Sequence, residues 1–143
     1  MNQKQIKKLI DSILNEIGLG SELASELVFL TGLVESRYEY IRQLGDGPAF
    51  SPWRVELAEK IASVLMIRSD VLLNPKKEEL KNLLWMNIAS GIVFCRLKYR
   101  RVPKPLPSGV EECAKYWKRW YNSDLGKGTV SHFMELAELR KDK

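Results

Sequence analysis

Glu35 is the residue whose type and position in this chain best suit it to acid–base catalysis. It ends a run without charges, Leu27 to Val34, and is followed by Ser36 and, after a short gap, by a loop rich in glycine and proline. Burial at the end of such a run would raise the pKa of the carboxyl group, because a low dielectric disfavours its charged form. A glutamate protonated near neutral pH can donate to a leaving oxygen, as in glycoside cleavage. The alternative is a structural glutamate paired with Arg37 or another cation.

The sequence contains few residues that could form other kinds of catalytic site. The chain has one histidine, His132, and two cysteines, Cys95 and Cys113, which do not form a zinc pattern. No EF-hand or Walker motif occurs, and no serine motif lies near His132 to form a triad. We therefore expect no metal and no cofactor, which leaves carboxylate chemistry. Cys95 lies in an apolar run, so we expect it in the core rather than in a disulfide.

The apolar spacing predicts an all-α or nearly all-α fold, because no segment sustains an alternation of period two. Ser21 and Thr129 are the expected N-caps of two helices. We expect a single domain over residues 1–143, with about six helices around a central apolar helix at Leu80 to Leu97. The other expected helices are Asn2 to Ile17, Ser21 to Tyr38, Trp53 or Arg54 to Met66, Val110 to Asn122, and Thr129 to near Arg140.

Glycine and proline residues predict where the connections between these helices lie. Gln43 to Pro52 contains two glycines and two prolines and is expected to be a loop. Val102 to Gly109 contains three prolines, which exclude a helix and predict a stiff, extended connector. Gly126 to Thr129 is expected to form a turn before the last helix.

Positive charge concentrates in the C-terminal half of the chain. The net charge is +5, but residues 1–75 carry 8 basic and 10 acidic residues, and residues 76–143 carry 15 and 8. Such a surface favours a polyanion, either nucleic acid or the anionic wall of a bacterium, unless it is a solvated face without a partner. The two basic clusters are Lys98, Arg100, Arg101 and Lys104, and then Lys115, Lys118, Arg119 and Lys127.

Hydropathy predicts a protein that does not insert in a membrane. No apolar run approaches the roughly 18 residues of a membrane span. The polar N-terminus, Met1 to Lys8, predicts synthesis in the cytoplasm without a signal peptide. Any action on a cell wall would then need another route of release.

Two motifs resemble those of the lytic transglycosylases and goose-type lysozymes. In that superfamily a Glu-Ser pair at a helix end precedes a glycine-rich loop, and a Tyr-Asn pair near a glycine comes later. Here Glu35-Ser36 precedes the segment Gly47 to Val55, and Tyr121-Asn122 precedes Gly126. The superfamily usually has glutamine where Arg54 stands, so Arg54 would instead bind a stem-peptide carboxylate or a sugar oxygen.

The chain is more closely similar to small phage-encoded proteins, over roughly residues 30 to 135. The shared motifs are Glu35-Ser36, Gly47-Pro48-Ala49, Tyr99 to Pro107 and Tyr116 to Thr129. This resemblance implies a lysozyme-like domain and a phage-type muramidase, an endolysin or a virion-associated protein, that cleaves the MurNAc–GlcNAc bond of bacterial peptidoglycan. Holin-dependent release or packaging in a virion would bring it to the wall.

The resemblance also implies roles for individual residues. Glu35 would protonate the glycosidic oxygen and then act as a base. Tyr121 would stabilise developing positive charge or hold Glu35, and Asn122 would hydrogen-bond an N-acetyl group. Ser36 is a further candidate for substrate contact. The candidates for stacking on sugar rings, or alternatively for ordinary core packing, are Phe50, Trp53 and Tyr99.

Glycoside hydrolysis also needs a second carboxylate, as a base or as a nucleophile. Asp46 and Glu56 are the candidates, because both lie close to the glycine- and proline-rich loop. Asp46 is alternatively a turn residue, and Glu56 alternatively an acidic residue in the first turn of a helix. If neither takes part, the transglycosylase route remains, in which the sugar's own 6-hydroxyl group attacks and one glutamate suffices.

Two other functions stay open beside the muramidase. The first is a lysozyme-like structural or assembly protein without catalytic activity, because fold does not imply function. The second is a basic nucleic-acid-binding protein, which the absence of a helix-turn-helix or zinc-finger pattern makes the weaker alternative.

Overall fold

The computed structural model describes residues 2–38, 49–50, 55–56, 88–122 and 126–141. In these ranges the chain is mainly helical, which confirms the all-α character expected from the apolar spacing. The elements are α1 (Gln3–Glu16), α2 (Glu22–Ser36), β1 (Ala49–Phe50), β2 (Val55–Glu56), α3 (Ile88–Arg100), α4 (Val110–Trp117), a π-helical segment (Lys118–Asn122) and α5 (Val130–Ala137).

Side-chain caps start three of the helices. Asn2 caps α1, and its side-chain oxygen accepts from the Gln5 amide at 3.2 Å. Ser21 caps α2 through the Ala24 amide at 3.0 Å. Thr129 caps α5 in the same way. Both caps expected from the sequence are therefore confirmed, because a cap depends only on neighbouring residues.

The most buried of the described helices is α2. Eleven of its 15 residues are buried, because the stretch from Leu27 to Val34 presents no charge on any face. The expected central helix, by contrast, carries Arg96, Lys98 and Arg100 in its described part, which is α3. Helix α3 packs against α1 and α2, and α4 packs against α5.

Residues 49–56 include a short antiparallel strand pair, which corrects one expectation. Ala49 pairs with Glu56, and Phe50 pairs with Val55. The prediction that a helix begins at Trp53 or Arg54 is therefore wrong at positions 55 and 56. Cross-strand pairing replaces the first helical turn there, and the β-branched Val55 favours a strand.

The connector that leads into α4 is non-helical, as its prolines predict. It is joined to α4 by the Tyr116 hydroxyl, which donates to the Lys104 carbonyl oxygen at 3.4 Å. The chain end returns to α2, where Arg140 donates to both carboxylate oxygens of Glu26. Among the described helices, none combines the length and apolar character that crossing a membrane requires.

We expect Gly32→Ala to destabilise the fold, because α2 has no room for a methyl group at this position. An added Cβ would lie 2.3 Å from the hydroxyl oxygen of Tyr38. Tyr38 is fully buried and donates to the Phe29 carbonyl oxygen at 2.6 Å, so it cannot move aside cheaply. Overpacking costs about 1–3 kcal/mol, and the better helix propensity of alanine offsets up to about 1 kcal/mol of this. We therefore expect the free energy of unfolding, measured in urea, to fall by about 1–2 kcal/mol.

A double-mutant cycle checks this assignment. In a Tyr38→Leu background the ring atoms are gone, and Gly32→Ala should there be neutral or stabilising. An equal loss of stability in both backgrounds would show that Tyr38 is not the cause.

Candidate functional site

Glu35 lies in the last turn of α2, and it is half-buried. The helix ends directly after it, because Arg37 adopts a left-handed conformation with φ of 53° and its amide donates to the Leu33 carbonyl oxygen at 2.8 Å. Ser36 completes this end. Its hydroxyl donates to the Gly32 carbonyl oxygen at 3.0 Å and accepts from the Tyr38 amide at 3.1 Å. Ser36 is 4% exposed, so the structure gives it a part in ending the helix.

The carboxylate of Glu35 is held by a tryptophan from the other end of the chain. Trp117 donates its indole N–H to Oε1 of Glu35 at 2.8 Å, across 82 positions in the sequence. Trp117 is 2% exposed, and a buried indole N–H needs an acceptor. This hydrogen bond brings together the Glu-Ser motif and the Tyr116 to Thr129 motif, which the resemblance assigns to one site.

The glycine-containing turn supports Trp117 from a second side. A Cβ at Gly128 would lie 2.4 Å from Cη2 of Trp117, so only glycine allows the turn to pack so closely against the ring. Phe133 of α5 packs against the same indole, with 5.3 Å between ring centroids. The turn and α5 therefore set the position of the indole and, through it, that of Glu35.

Tyr121 and Asn122 lie in the π-helical segment that extends α4. Such segments are rare and are often found at functional sites, because the wider turn redirects side chains. Asn122 is half-buried, and its Oδ1 accepts from Lys118 Nζ at 2.9 Å. Lys118 also donates to the Gly126 carbonyl oxygen at 2.9 Å, which ties the segment to the turn that follows.

The Tyr121 ring is buried beside α3. It stacks on Tyr99 with a centroid distance of 5.1 Å, and its hydroxyl and the Cys95 sulfur share a hydrogen bond. Lys98 lies over the ring, with Nζ 3.9 Å from its centroid. Burial is the main cause that raises the pKa of Tyr121 well above its ordinary value, and the neighbouring Cys95 thiol and the negative charge of Glu35 add to the shift. Tyr121 is therefore a neutral phenol at physiological pH.

Tyr99 belongs to the core in this structure. It is 1% exposed, and it packs against Tyr116 as well as Tyr121. Its hydroxyl lies 2.7 Å from the Thr31 hydroxyl of α2. This is the core-packing alternative that the sequence had left open for Tyr99.

The remaining candidates are Asp46, Phe50, Trp53, Arg54 and Glu56. Asp46, Trp53 and Arg54 are outside the described residues. Phe50 and Glu56 lie in β1 and β2, and β2 lies against α3. This places the backbone of Glu56 next to the helix that carries Cys95 and Tyr99. Of the candidates, Glu35 meets Trp117, and Tyr121 and Asn122 follow Trp117 in the π-helical segment.

Comparison with known protein families, characterised proteins and solved structures found no match to this chain. The assignment of function therefore depends on the chemistry of the site. Trp117 is the residue that the sequence interpretation missed as a partner of Glu35. The signal that could have found it is chemical, since a tryptophan in an apolar helical stripe still requires an acceptor for its N–H.

The described residues hold no group of three or more His, Cys, Asp or Glu side chains arranged to bind a metal ion. Two members of the basic clusters make internal hydrogen bonds: Lys98 donates to the Tyr121 carbonyl oxygen at 3.3 Å, and Lys118 donates to Asn122 Oδ1 and to the Gly126 carbonyl oxygen. The exposed basic surface is therefore smaller than the charge count predicts.

We expect stability to fall in alkaline solution because two thiols are buried. Burial raises the pKa of the Cys113 thiol from 9.0 to about 12, and the carboxylates of Glu26 and Glu112 contribute. Burial raises the pKa of Cys95 as well. Between pH 9 and pH 12, the Cys113 thiol of the unfolded chain loses a proton that the folded chain keeps. The free energy of unfolding should therefore fall from about pH 9 toward pH 12, by up to about 1.4 kcal/mol per pH unit for each thiol.

Urea unfolding at several pH values measures this slope. Cys113→Ala removes one thiol and should flatten the slope between pH 9 and pH 12, whatever its effect on stability at pH 7. Identical slopes for the two proteins would contradict the prediction.

Proposed function

We propose that this protein is a phage-type muramidase, an endolysin or a virion-associated enzyme, that cleaves the MurNAc–GlcNAc bond of bacterial peptidoglycan. The observation that carries the proposal is the 2.8 Å hydrogen bond from Trp117 to Glu35. It joins two motifs that are far apart in the sequence, and it does so at the one residue expected to perform the chemistry. A contact of this kind supports a shared site.

Glu35 acts as the general acid in this proposal. The bond from Trp117 orients the carboxyl group, and partial exposure leaves it accessible to a substrate. Its proton passes to the glycosidic oxygen as the bond to the anomeric carbon breaks. Glu35 then takes a proton from the attacking hydroxyl, either that of water or the 6-hydroxyl of the same sugar.

Tyr121 and Asn122 support this reaction in different ways. As a buried neutral phenol that stacks on Tyr99, Tyr121 helps to keep α3 and the π-helical segment together, and it carries no negative charge to stabilise a cation. Asn122 presents its amide N–H groups as donors, since its oxygen accepts from Lys118. An N–H donor suits the carbonyl oxygen of an N-acetyl group.

Digestion of purified peptidoglycan, with products identified by mass spectrometry, tests the proposal. Anhydromuropeptides would identify a transglycosylase that needs only Glu35. Reducing-end products would identify hydrolysis and direct attention to Asp46 and Glu56 as the second carboxylate. Failure of the folded protein to release products from several wall types would favour a structural or assembly role instead.

A further inference from the structure

Trp120 differs from the other aromatic residues in its exposure. Among the residues whose side chains the structure describes, it is the one partly exposed aromatic residue, since all the others are 8% exposed or less. It lies in the π-helical segment, three positions after Trp117. An aromatic face at the surface is suited to stacking on a ring of a ligand.

Trp120 lines a groove of about 420 Å³ between the proline-containing connector and α4. We call it the connector groove, and the residues that matter for binding are Lys104, Leu106, Lys115, Tyr116, Arg119 and Trp120. The Tyr116 hydroxyl bond to the Lys104 carbonyl oxygen holds its two walls together. The volume is within the range of pockets that bind small ligands.

The charges around the groove are complementary to an anion. Three cations, Lys104, Lys115 and Arg119, line it together with one carboxylate, that of Glu112. The Glu112 carboxylate already accepts from the Ser108 amide at 2.9 Å. Lys115 pairs with Glu111 at 3.3 Å, but both side chains are highly exposed, so this pair is weak and can be displaced.

We propose that the connector groove binds a sugar–peptide unit of peptidoglycan, with Trp120 against the sugar ring and the cations against a carboxylate of the stem peptide. This inference depends on the proposed function, because it treats the groove as a second contact for the same polymer. The link is structural, since the helical segment that places Trp117 against Glu35 also carries Tyr116, Arg119 and Trp120.

A single ring platform favours this ligand over single-stranded nucleic acid. Proteins that track single strands stack successive bases on several aromatic side chains along a basic path. The described part of this surface offers Trp120 alone, with the Arg119 guanidinium 5.2 Å from its ring centroid. A ligand with one ring and a nearby carboxylate can use all of these groups, whereas a run of bases would need further aromatic side chains.

Pelleting with insoluble peptidoglycan sacculi tests the inference, using the full chain with Glu35→Gln so that the wall stays intact. We expect Lys104→Glu combined with Arg119→Glu to raise the Kd at least about tenfold, because both charges then repel carboxylates. Trp120→Ala should weaken binding too. The matched control is Lys4→Glu with Lys8→Glu, which makes the same charge change on exposed positions of α1 and should change the Kd less than about twofold.

Sacculi whose carboxylates have been converted to amides should also bind at least about tenfold more weakly, because the proposed ion pairs are then lost. Unchanged binding by the groove variants, absence of binding to sacculi, equal binding to amidated sacculi, or tighter binding to an oligothymidylate would each overturn the inference.

The two proposals fail in different ways. Groove-dependent binding without any cleavage by the unmutated chain would reject the muramidase proposal and support the proposal that the connector groove binds the wall polymer. Cleavage and binding that are both normal in the groove variants would support the muramidase proposal and reject the groove as a binding site.

Discussion

Glu35→Gln should abolish most of the peptidoglycan-cleaving activity, with an expected loss of about 10²–10⁴-fold in kcat. Glutamine has nearly the same shape, and its amide oxygen can still accept from the Trp117 indole, so the hydrogen bond at 2.8 Å has a replacement. What glutamine cannot do is donate and recover a proton at the glycosidic oxygen. The loss should therefore appear in kcat while the fold is preserved.

The matched control for this prediction is Glu22→Gln. Glu22 is an exposed residue of the first turn of the same helix, and the chemical change is identical. It should leave the release of soluble muropeptides within about twofold of the unmutated protein, because an exposed helix-terminal charge contributes little. If folded Glu35→Gln retained more than a tenth of the activity, Glu35 would not be the general acid.

Trp117→Phe should lower kcat by about 10–100-fold and leave KM nearly unchanged. Phenylalanine keeps an aromatic ring but removes the N–H that holds Oε1 of Glu35. Glu35 becomes a carboxylate as it gives up its proton, and a hydrogen bond to a charged group contributes about 1.5–3 kcal/mol, which corresponds to this range of rates. Trp117 acts through Glu35, so its loss should affect positioning of the acid and not binding of the glycan.

Phe133→Leu provides the control that separates positioning from packing. Phe133 is buried and contacts the same indole, with ring centroids 5.3 Å apart. Both substitutions shrink the same part of the core and should lower stability by about 1–3 kcal/mol. Only Trp117→Phe removes the donor. Equal effects of the two variants on kcat, at a temperature where both are folded, would show that the indole N–H has no special part.

Gly128→Ala should reproduce a part of the loss in kcat expected for Trp117→Phe, although both residues of the hydrogen bond stay unmutated. Its new Cβ would displace the indole, from which it would lie only 2.4 Å. The sequence interpretation had assigned Gly126 to Thr129 only to a turn. The packing explains why a turn at this place contains glycine, since the turn also supports the ring.

The sequence predicted the elements that local interactions determine. Ser21 and Thr129, the expected N-caps, each precede a helix, and their cap bonds join residues three positions apart. The apolar spacing from Asn2 to Ile17 predicted the helix α1, because helical periodicity is a property of the segment itself. The prolines after Val102 similarly excluded a helix, through the fixed φ and the missing amide donor.

Where a segment contained competing signals, tertiary structure decided the outcome. The acidic and apolar residues after Pro52 are compatible with a helix, but Val55 and Glu56 pair with Phe50 and Ala49. Pairing depends on a partner strand, which periodicity within one segment cannot reveal. Exposure is similar: Tyr116 and Trp117 are buried and Trp120 is partly exposed, a division that helical spacing alone does not reveal.

By itself, the sequence determined that Glu35 stands at a helix end after an uncharged run, since that needs only composition and period. Only the tertiary structure decided which group meets its carboxylate, because Trp117 lies 82 positions away and reaches it through the packing of α2, α4 and α5. Packing likewise turned Lys98 and Lys118 toward their own neighbours and left Trp120 beside cations. Such contacts depend on how helix faces meet, and that is a property of the whole core.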